Sequence, residues 1–581
     1  MIHGGDRYRL EDYDHILLAA SWGPPKEYKE ARYTLELEIV RDGKTKRCTI
    51  SLDKNYYSSK SYYSSTTALR DLLQKKANVS EDKLSLLIFA QDTIFLSHIV
   101  GKRENLQNYF TEGGKIISRS ELKEELLKEL YQQNYNVAKE LGVQRVADYD
   151  KYVRFVPGVF TSVDGAYLYT WRYERCYDLL LAGIILYTYE KIEEIRKSKS
   201  AGRIAILIDS THGINYFVTA LKEGILKATV LYALGTSAEE FNDDGAVKGL
   251  KEITVYHYNS DPIGFKLEGI PSLKIHLLDE NAILKGGKPL LNSLFSAVED
   301  HVSREGLEEL SDQLNTWWKD VDWEKVVEAL LLFSKGLLVW ALRVILDVPF
   351  LPHIKELKGA FDNIKLEFSN NGESYSIDYK PEEGSNPLAH VVEYSLMASS
   401  LKKLAEKSSC SSNVRSKGFE FIEKVSQEHE SELKKVELHD VLQNIINHEN
   451  EYKCFELKKI QQVAELMYTS PYFDIVENEI KNIDEYLGRD IKNIRWTSLN
   501  NHVYKEPRGK PAYIIDYSGS HLLISVANGN SIEKRVTYAH AGLAYGLPWF
   551  AFKLKGDSNI ILYLGRPDKV VHMLRTVVYS K

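Results

Sequence analysis

The sequence predicts an α/β amino-terminal half built on a mainly parallel sheet, followed by an all-α half that carries one inserted β-hairpin. Two observations point there. Residues 1–285 alternate short apolar runs with helical patterns, the signature of a sheet covered by helices on both faces. From about Pro289 the pattern changes to long, charge-rich amphipathic periods. A chain of 581 residues exceeds one ordinary core, so separate units are expected. The boundaries read as 1–285 for the α/β domain, 286–345 for a helical linker and 346–581 for a helical domain holding the hairpin.

Taken in order, residues 14–20 (DHILLAA) form a compact apolar run, a strand ending at Ser21-Trp22-Gly23-Pro24-Pro25. Residues 34–52 alternate apolar and polar side chains around Asp42-Gly43, a hairpin signal. Residues 84–90 (LSLLIFA) read as a buried strand leading into Gln91-Asp92-Thr93. Residues 153–156 are a short strand before Pro157-Gly158, and 173–192 have helical spacing. Residues 204–208 (IAILI) are a strand opening onto Asp209-Ser210-Thr211-His212-Gly213, and 228–234 and 253–258 read as two more strands. In such sheets ligands bind at the carboxyl ends of strands, near a topological switch point. The loops at Ser21, Gln91 and Asp209 are therefore expected along one edge. Further on, the apolar run 329–350 is interrupted by Lys335, Arg343 and Asp347 and ended by Pro349, which reads as buried helix rather than a membrane span. Residues 361–379 hold Ser369-Asn370-Asn371-Gly372 between alternating runs, the inserted hairpin, and 386–490 are again helical.

Composition narrows the functional classes. Apolar residues make up 44% and charged residues 27%, the balance of a globular chain. Cys48, Cys176, Cys410 and Cys454 form no CxxC pair, so neither a zinc site nor a disulfide framework is expected, and reduced thiols in a cytoplasmic protein are. The start MIHGGDRYRLEDYDH has no apolar run behind a basic segment, consistent with that location. The net charge of −7 argues against a generally basic nucleic-acid binder. Residues 501–581, however, carry 11 Lys and Arg against 5 Asp and Glu, which suits a local polyanion site. NTPase, α/β-hydrolase and zincin readings lack their entry motifs GxxxxGK[ST], GxSxG and HExxH. His439-Asp440 and His448-Glu449 read as a solvated helix face, and Trp317, Trp318, Trp323 and Trp340 as helix core. No metal site is expected.

The first chemical constellation is Asp209-Ser210-Thr211-His212-Gly213-Ile214-Asn215. Hydroxyls, an amide and backbone N–H groups at a helix start suit phosphate or nucleobase edges; the same cluster also serves as an N-cap. The stretch resembles the DxTHG motif of CRISPR-associated CARF-domain proteins, with Asn215 and Tyr216 extending the match. The Ser21-Trp22-Gly23 and Gln91-Asp92-Thr93 strand ends are similar to ligand loops of that family. The resemblance implies a Rossmann-like, dimeric domain that binds a cyclic oligoadenylate, most often the tetra-adenylate ring, across its two-fold. It places Ser21, Trp22, Gly23, Asp92, Thr93, Ser210, Thr211, His212, Gly213 and Asn215 at that ligand.

The second constellation is Arg535-Val536-Thr537-Tyr538-Ala539-His540-Ala541-Gly542-Leu543. On a helix, residues five apart diverge by about 140°, so Arg535 and His540 make a poor pair within one subunit, whereas a symmetric dimer brings two such helices together. The pattern resembles the Arg/His motif of HEPN ribonucleases, where Asn usually follows the Arg; here it is Val536. Arg495 with His502 and Arg566 with His572 also meet the loose spacing. The resemblance, to Csx-type CARF–HEPN ribonucleases acting beside type III CRISPR effector complexes, implies a homodimer or an oligomer of dimers. The activity implied is metal-independent cleavage of single-stranded RNA by Arg535 and His540, allosterically activated by the ring, in antiviral defence. Three alternatives stay open: a sensor with an inactive helical domain; a ring nuclease in which Ser21 or Thr211 positions the ribose 2′-OH; and a transcription regulator. The acidic start of the helical half (Glu299-Asp300, Glu308-Glu309) argues against the last.

Overall fold

The computed structural model describes residues 7–572, except 23–29, 42–43, 52–60, 63–64, 78, 93–94, 97–108, 111–114, 134, 159–161, 165–166, 171–172, 212–214, 243–248, 262–269, 286–287, 290–291, 371–374, 381–387, 470, 489–496, 501–502, 506–511, 526–539, 541–542, 544–546, 557 and 569. Five strands run parallel through the first half: β1 (His15–Trp22), β2 (Leu84–Gln91), β3 (Val153–Val156), β4 (Arg203–Asp209) and β5 (Glu252–Ser260). Their spatial order is β3-β2-β1-β4-β5. Antiparallel to β5 lies β6 (Ser272–Lys285), and beyond it the strand Glu30–Arg41 with its hairpin partner Lys44–Ser51. β1 is buried along its whole length and β4 at six of its seven positions, as the unbroken apolar runs require of strands covered on both faces.

Helices α1 (Ser65–Lys76), α2 (Tyr173–Lys199) and α3 (Asn215–Glu240) belong to this half. Residues 228–234, read from the sequence as a strand, lie inside α3. The run is apolar on every side because α3 packs against the sheet, against α2 and against α4 (Leu388–Ser408) from the second half. A buried helix and a buried strand share that pattern, and periodicity alone does not separate them.

After residue 285 helices dominate as far as Gly488. The 329–350 run forms two buried helices, Trp323–Ser334 and Leu338–Ile345, and Trp323 and Trp340 sit in the core as expected. No helix among the described residues is long and apolar enough to cross a membrane. The hairpin is present as β7 (Lys365–Asn370) and β8 (Tyr375–Lys380). It is no free insertion: β7 pairs with Lys115–Ser118 and β8 with Tyr167–Thr170, so one five-stranded sheet draws on both sides of residue 285.

Two further features correct the sequence reading. The end of the chain is not all-helical: Thr497–Asn500, Val503–Lys505, Ala512–Tyr517, Ser520–Ser525, Trp549–Lys553, Ile560–Leu564 and Lys453–Glu456 form a seven-stranded antiparallel sheet. Its central hairpin turns at Ser518-Gly519, both at positive φ (53° and 80°), the backbone a two-residue hairpin demands. The second correction is a disulfide between Cys410 and Cys454, whose Cα atoms lie 5.7 Å apart. Cys410 follows α4 and Cys454 lies on Lys453–Glu456; a backbone bond from Cys410 N–H to the Cys454 carbonyl (3.1 Å) holds the same pair together. Cys176 is buried and is not part of that disulfide.

The bond closes a 44-residue separation and ties the helical layer to the carboxy-terminal sheet. Reduction, or replacement of both residues by Ser, is expected to destabilise the protein by about 2–4 kcal/mol. Urea titrations of the oxidised and reduced protein check this; superimposable curves would show that the crosslink contributes nothing.

Candidate functional site

The carboxyl ends of β1, β2 and β4 lie on one edge of the sheet, because Asp209 pairs with Ala20 and Trp22 with Ala90 in parallel register. The chain reaches β2 on one side of β1 and β4 on the other. The crevice between the ends of β1 and β4 is thus a topological switch point. Ser21-Trp22, Gln91-Asp92 and Asp209-Ser210-Thr211 all converge on this edge, as expected.

Asp209 organises it. Its carboxylate is 1% exposed and accepts four hydrogen bonds. Ser65 Oγ (2.6 Å) and Thr66 Oγ1 (2.8 Å), at the start of α1, donate to Oδ2. The Thr211 amide (3.1 Å) and hydroxyl (2.6 Å) donate to Oδ1. The Thr211 hydroxyl also accepts from the Ser260 amide at the end of β5 (3.1 Å). Ser210 turns inward: its amide donates to the Tyr258 carbonyl (3.0 Å) and its hydroxyl meets His257 Nε2 (2.7 Å). Burial, helped by the Lys222 charge, lowers the His257 pKa and keeps that ring neutral. Tyr216, in the first turn of α3, donates to Gln91 Oε1 (3.0 Å) and so ties this loop to the end of β2.

Among the residues expected to hold a ligand, Ser21, Trp22, Asp92 and Ser210 have side chains no more than 3% exposed. Trp22 packs edge-on against Tyr149 in the core. Thr211 is half-buried at the edge. Gly23, Thr93, His212, Gly213 and the Asn215 side chain lie outside the described residues. The Asp92 carboxylate is bound from the other direction. Arg119 Nε donates to it (3.1 Å), and so does the Tyr379 hydroxyl of β8. The Arg119 guanidinium also donates to the Phe155 carbonyl (2.8 Å) and stacks over Phe361 at 4.4 Å. Burial and then the Asp92 charge push the Tyr379 phenol well above its ordinary pKa. A cavity of about 600 Å³ lies beside this pair, with its charges matched as Lys123–Asp150, Lys197–Glu193 and Lys358–Asp362. Sequence reasoning missed Ser65, Thr66, Arg119 and Tyr379. Only a Ser-Thr-Thr helix start at 65–67 carried a local signal.

Residues 17–262 match the family model described as CRISPR system endoribonuclease Csx1, CARF domain. Residues 17–262 carry a CARF domain. The matched span contains β2 to β5 in full, β1 from Leu17 onward, and the residues that surround Asp209. No curated protein matches the chain.

The second constellation lies away from the CARF domain. His540 was expected on a helix. It sits instead in a turn between Ser520–Ser525 and Trp549–Lys553, closed by a bond from the Leu543 amide to the His540 carbonyl (2.7 Å). Leu543 and Leu547 are buried and pin the turn to the sheet. The His540 side chain is 37% exposed, and Nδ1 lies 2.9 Å from Glu479 Oε1, itself 14% exposed. Arg535, Arg495 and His502 lie outside the described residues. Arg566 is paired with Glu451, and His572 is exposed. Among the described residues no group of three or more His, Cys, Asp or Glu is placed to hold a metal.

Replacing Asp209 by Ala leaves the buried Ser65 and Thr66 hydroxyls without their acceptor and is expected to destabilise the CARF domain by about 2–3 kcal/mol. The triple replacement Ser65→Ala, Thr66→Ala, Asp209→Ala is expected to recover part of that loss, since removing both partners costs less than removing one. Thermal unfolding of the two variants beside the parent protein decides it.

Proposed function

We propose that the CARF domain binds a cyclic oligoadenylate, the tetra-adenylate ring in the first instance, and that this activates metal-independent cleavage of single-stranded RNA by Arg535 and His540. The setting is antiviral defence beside a type III CRISPR effector. The observation that carries the reading is the CARF match over 17–262, on a chain that presents a partly exposed, carboxylate-bound histidine in its carboxy-terminal sheet.

RNA brings its own nucleophile, the 2′-OH next to each phosphodiester. A base removes the 2′-OH proton as the 2′-oxygen attacks phosphorus, and an acid returns a proton to the departing 5′-oxygen. The products are a 2′,3′-cyclic phosphate and a 5′-OH. His540 suits proton transfer because imidazole titrates near neutrality. Arg535 suits the phosphorane-like transition state because a guanidinium contacts phosphate oxygens bidentately. A homodimer would supply two such pairs to one cleft. Activation requires that the ring bind the cleavage-competent state more tightly than the resting one. The crevice at the ends of β1 and β4, with the half-buried Thr211 at its edge, is the place in the fold for the ring.

Val536, in place of the Asn usual after the motif's Arg, favours one second reading: a sensor or ring nuclease whose effector half is inactive. The deciding assay is cleavage of end-labelled single-stranded RNA in EDTA, with and without cyclic tetra-adenylate, by the parent protein and His540→Ala. Ring-dependent cutting, reduced about 10²–10⁴-fold in the variant, is expected. A parent protein inert with rings of every size would leave the second reading, to be followed by analysis of the ring itself for linear products.

A further inference from the structure

Glu479 lies on α5 (Tyr472–Gly488), which docks on the carboxy-terminal sheet through a stripe of Val476, Ile480, Ile483 and Leu487, all buried. Two polar contacts lock the docking. His521 Nδ1 donates to the Leu487 carbonyl (3.0 Å), and Lys553 meets Asp484 (3.4 Å). Glu479 stands beside the buried stripe, one turn from Val476, where the helix face turns from core to solvent. Its Oε1 accepts from Asn482 Nδ2 (3.3 Å), a residue of the next turn. The same oxygen faces His540 Nδ1 at 2.9 Å. The His540 turn is itself anchored by buried Leu543 and Leu547. The segments that carry both partners are therefore held by core packing and the Glu479 side chain is only 14% exposed, which separates the contact from an ion pair between two fully exposed side chains.

We infer that Glu479 is a positioning residue for His540: it orients the ring, holds its proton on Nδ1 and leaves Nε2 as the nitrogen that exchanges protons with RNA. An ionised carboxylate only accepts hydrogen bonds, so Nδ1 must be the donor, and the neutral ring then has its basic lone pair on Nε2. The carboxylate also stabilises the imidazolium formed when Nε2 takes the 2′-OH proton, and it does so without being protonated itself. This supplies from a distant helix the orientation that Val536 does not provide where the motif usually has an amide. The inference rests on the ribonuclease reading above.

The test uses full-length protein with cyclic tetra-adenylate as activator, comparing the parent protein with Glu479→Gln, which keeps shape and removes charge. Expected is a fall in kcat of about 10-fold or more with the RNA KM and the ring affinity unchanged, because an orienting carboxylate acts on the chemical step. Unchanged ring affinity and an unchanged melting temperature report that the variant is folded. In the His540→Ala background, Glu479→Gln is expected to have no further effect on the residual rate, an outcome that a merely structural role would not give. Imidazole ¹⁵N spectra, with the His540 signal assigned by its loss in His540→Ala, are expected to show the Nδ1–H tautomer in the parent and a shift toward Nε2–H in Glu479→Gln. A parent that cuts RNA with kcat indifferent to Glu479→Gln, or a His540 ring in the Nε2–H tautomer, overturns the inference. An RNA-inert parent whose His540 tautomer still depends on Glu479 overturns the ribonuclease reading and leaves the orienting contact standing.

Discussion

The amino-terminal half is organised around one buried carboxylate. Asp209 ends a central strand at the switch point of the sheet, where burying a charge is costly unless donors surround it. Four donors do so, two from the strand's own following loop and two from α1, more than 140 residues earlier in the chain. The Thr211 hydroxyl passes the constraint on to the end of β5. One side chain thus fixes the relative positions of two strand ends and one helix start. The backbone from Asp209 to Thr211 is thereby held in one arrangement.

A second buried charge pair connects this edge to the rest of the molecule. Asp92 at the end of β2 is held by Arg119 and by Tyr379, and Tyr379 lies on the hairpin that the second half of the chain contributes. The hairpin completes a sheet with strands from the first half, and α4 packs across α2 and α3. The CARF domain and the helices that follow it share one continuous apolar core. Any displacement of the β2 end meets a rigid, hydrogen-bonded partner from the other half of the chain.

The carboxy-terminal sheet plays a comparable part for His540. Strands on both sides of its turn pack Leu543 and Leu547 inward, and α5 lies across the same sheet with Glu479 facing the imidazole. The Cys410–Cys454 bond then fastens this sheet to the end of α4. The histidine is held by tertiary packing rather than by the regular spacing of a helix, and the carboxylate it meets comes from 61 residues away.

Much of this was legible in the sequence. The parallel strands, the edge on which their loops converge, the 365–380 hairpin and the buried 329–350 run follow from local apolar periodicity and turn residues, which depend on near neighbours along the chain. The helical identity of 228–234 was not, because a segment buried on several sides has no polar face to set its period. The carboxy-terminal strands carry local signals, β-branched and aromatic runs around Ser518-Gly519, within a segment whose overall pattern reads as a helical domain. Apart from the Ser-Thr-Thr start of α1, the distant partners of Asp209, Asp92, His540 and Cys410 carried no comparable signal. Each lies dozens to hundreds of residues from its mate, and burial of charge or closure of a crosslink selects a partner by proximity in space. The sequence by itself determined which segments become strands and helices and which edge offers polar groups. Only the tertiary structure decided which side chains face inward and which carboxylate meets the histidine, because those choices depend on packing between elements that the chain order keeps far apart.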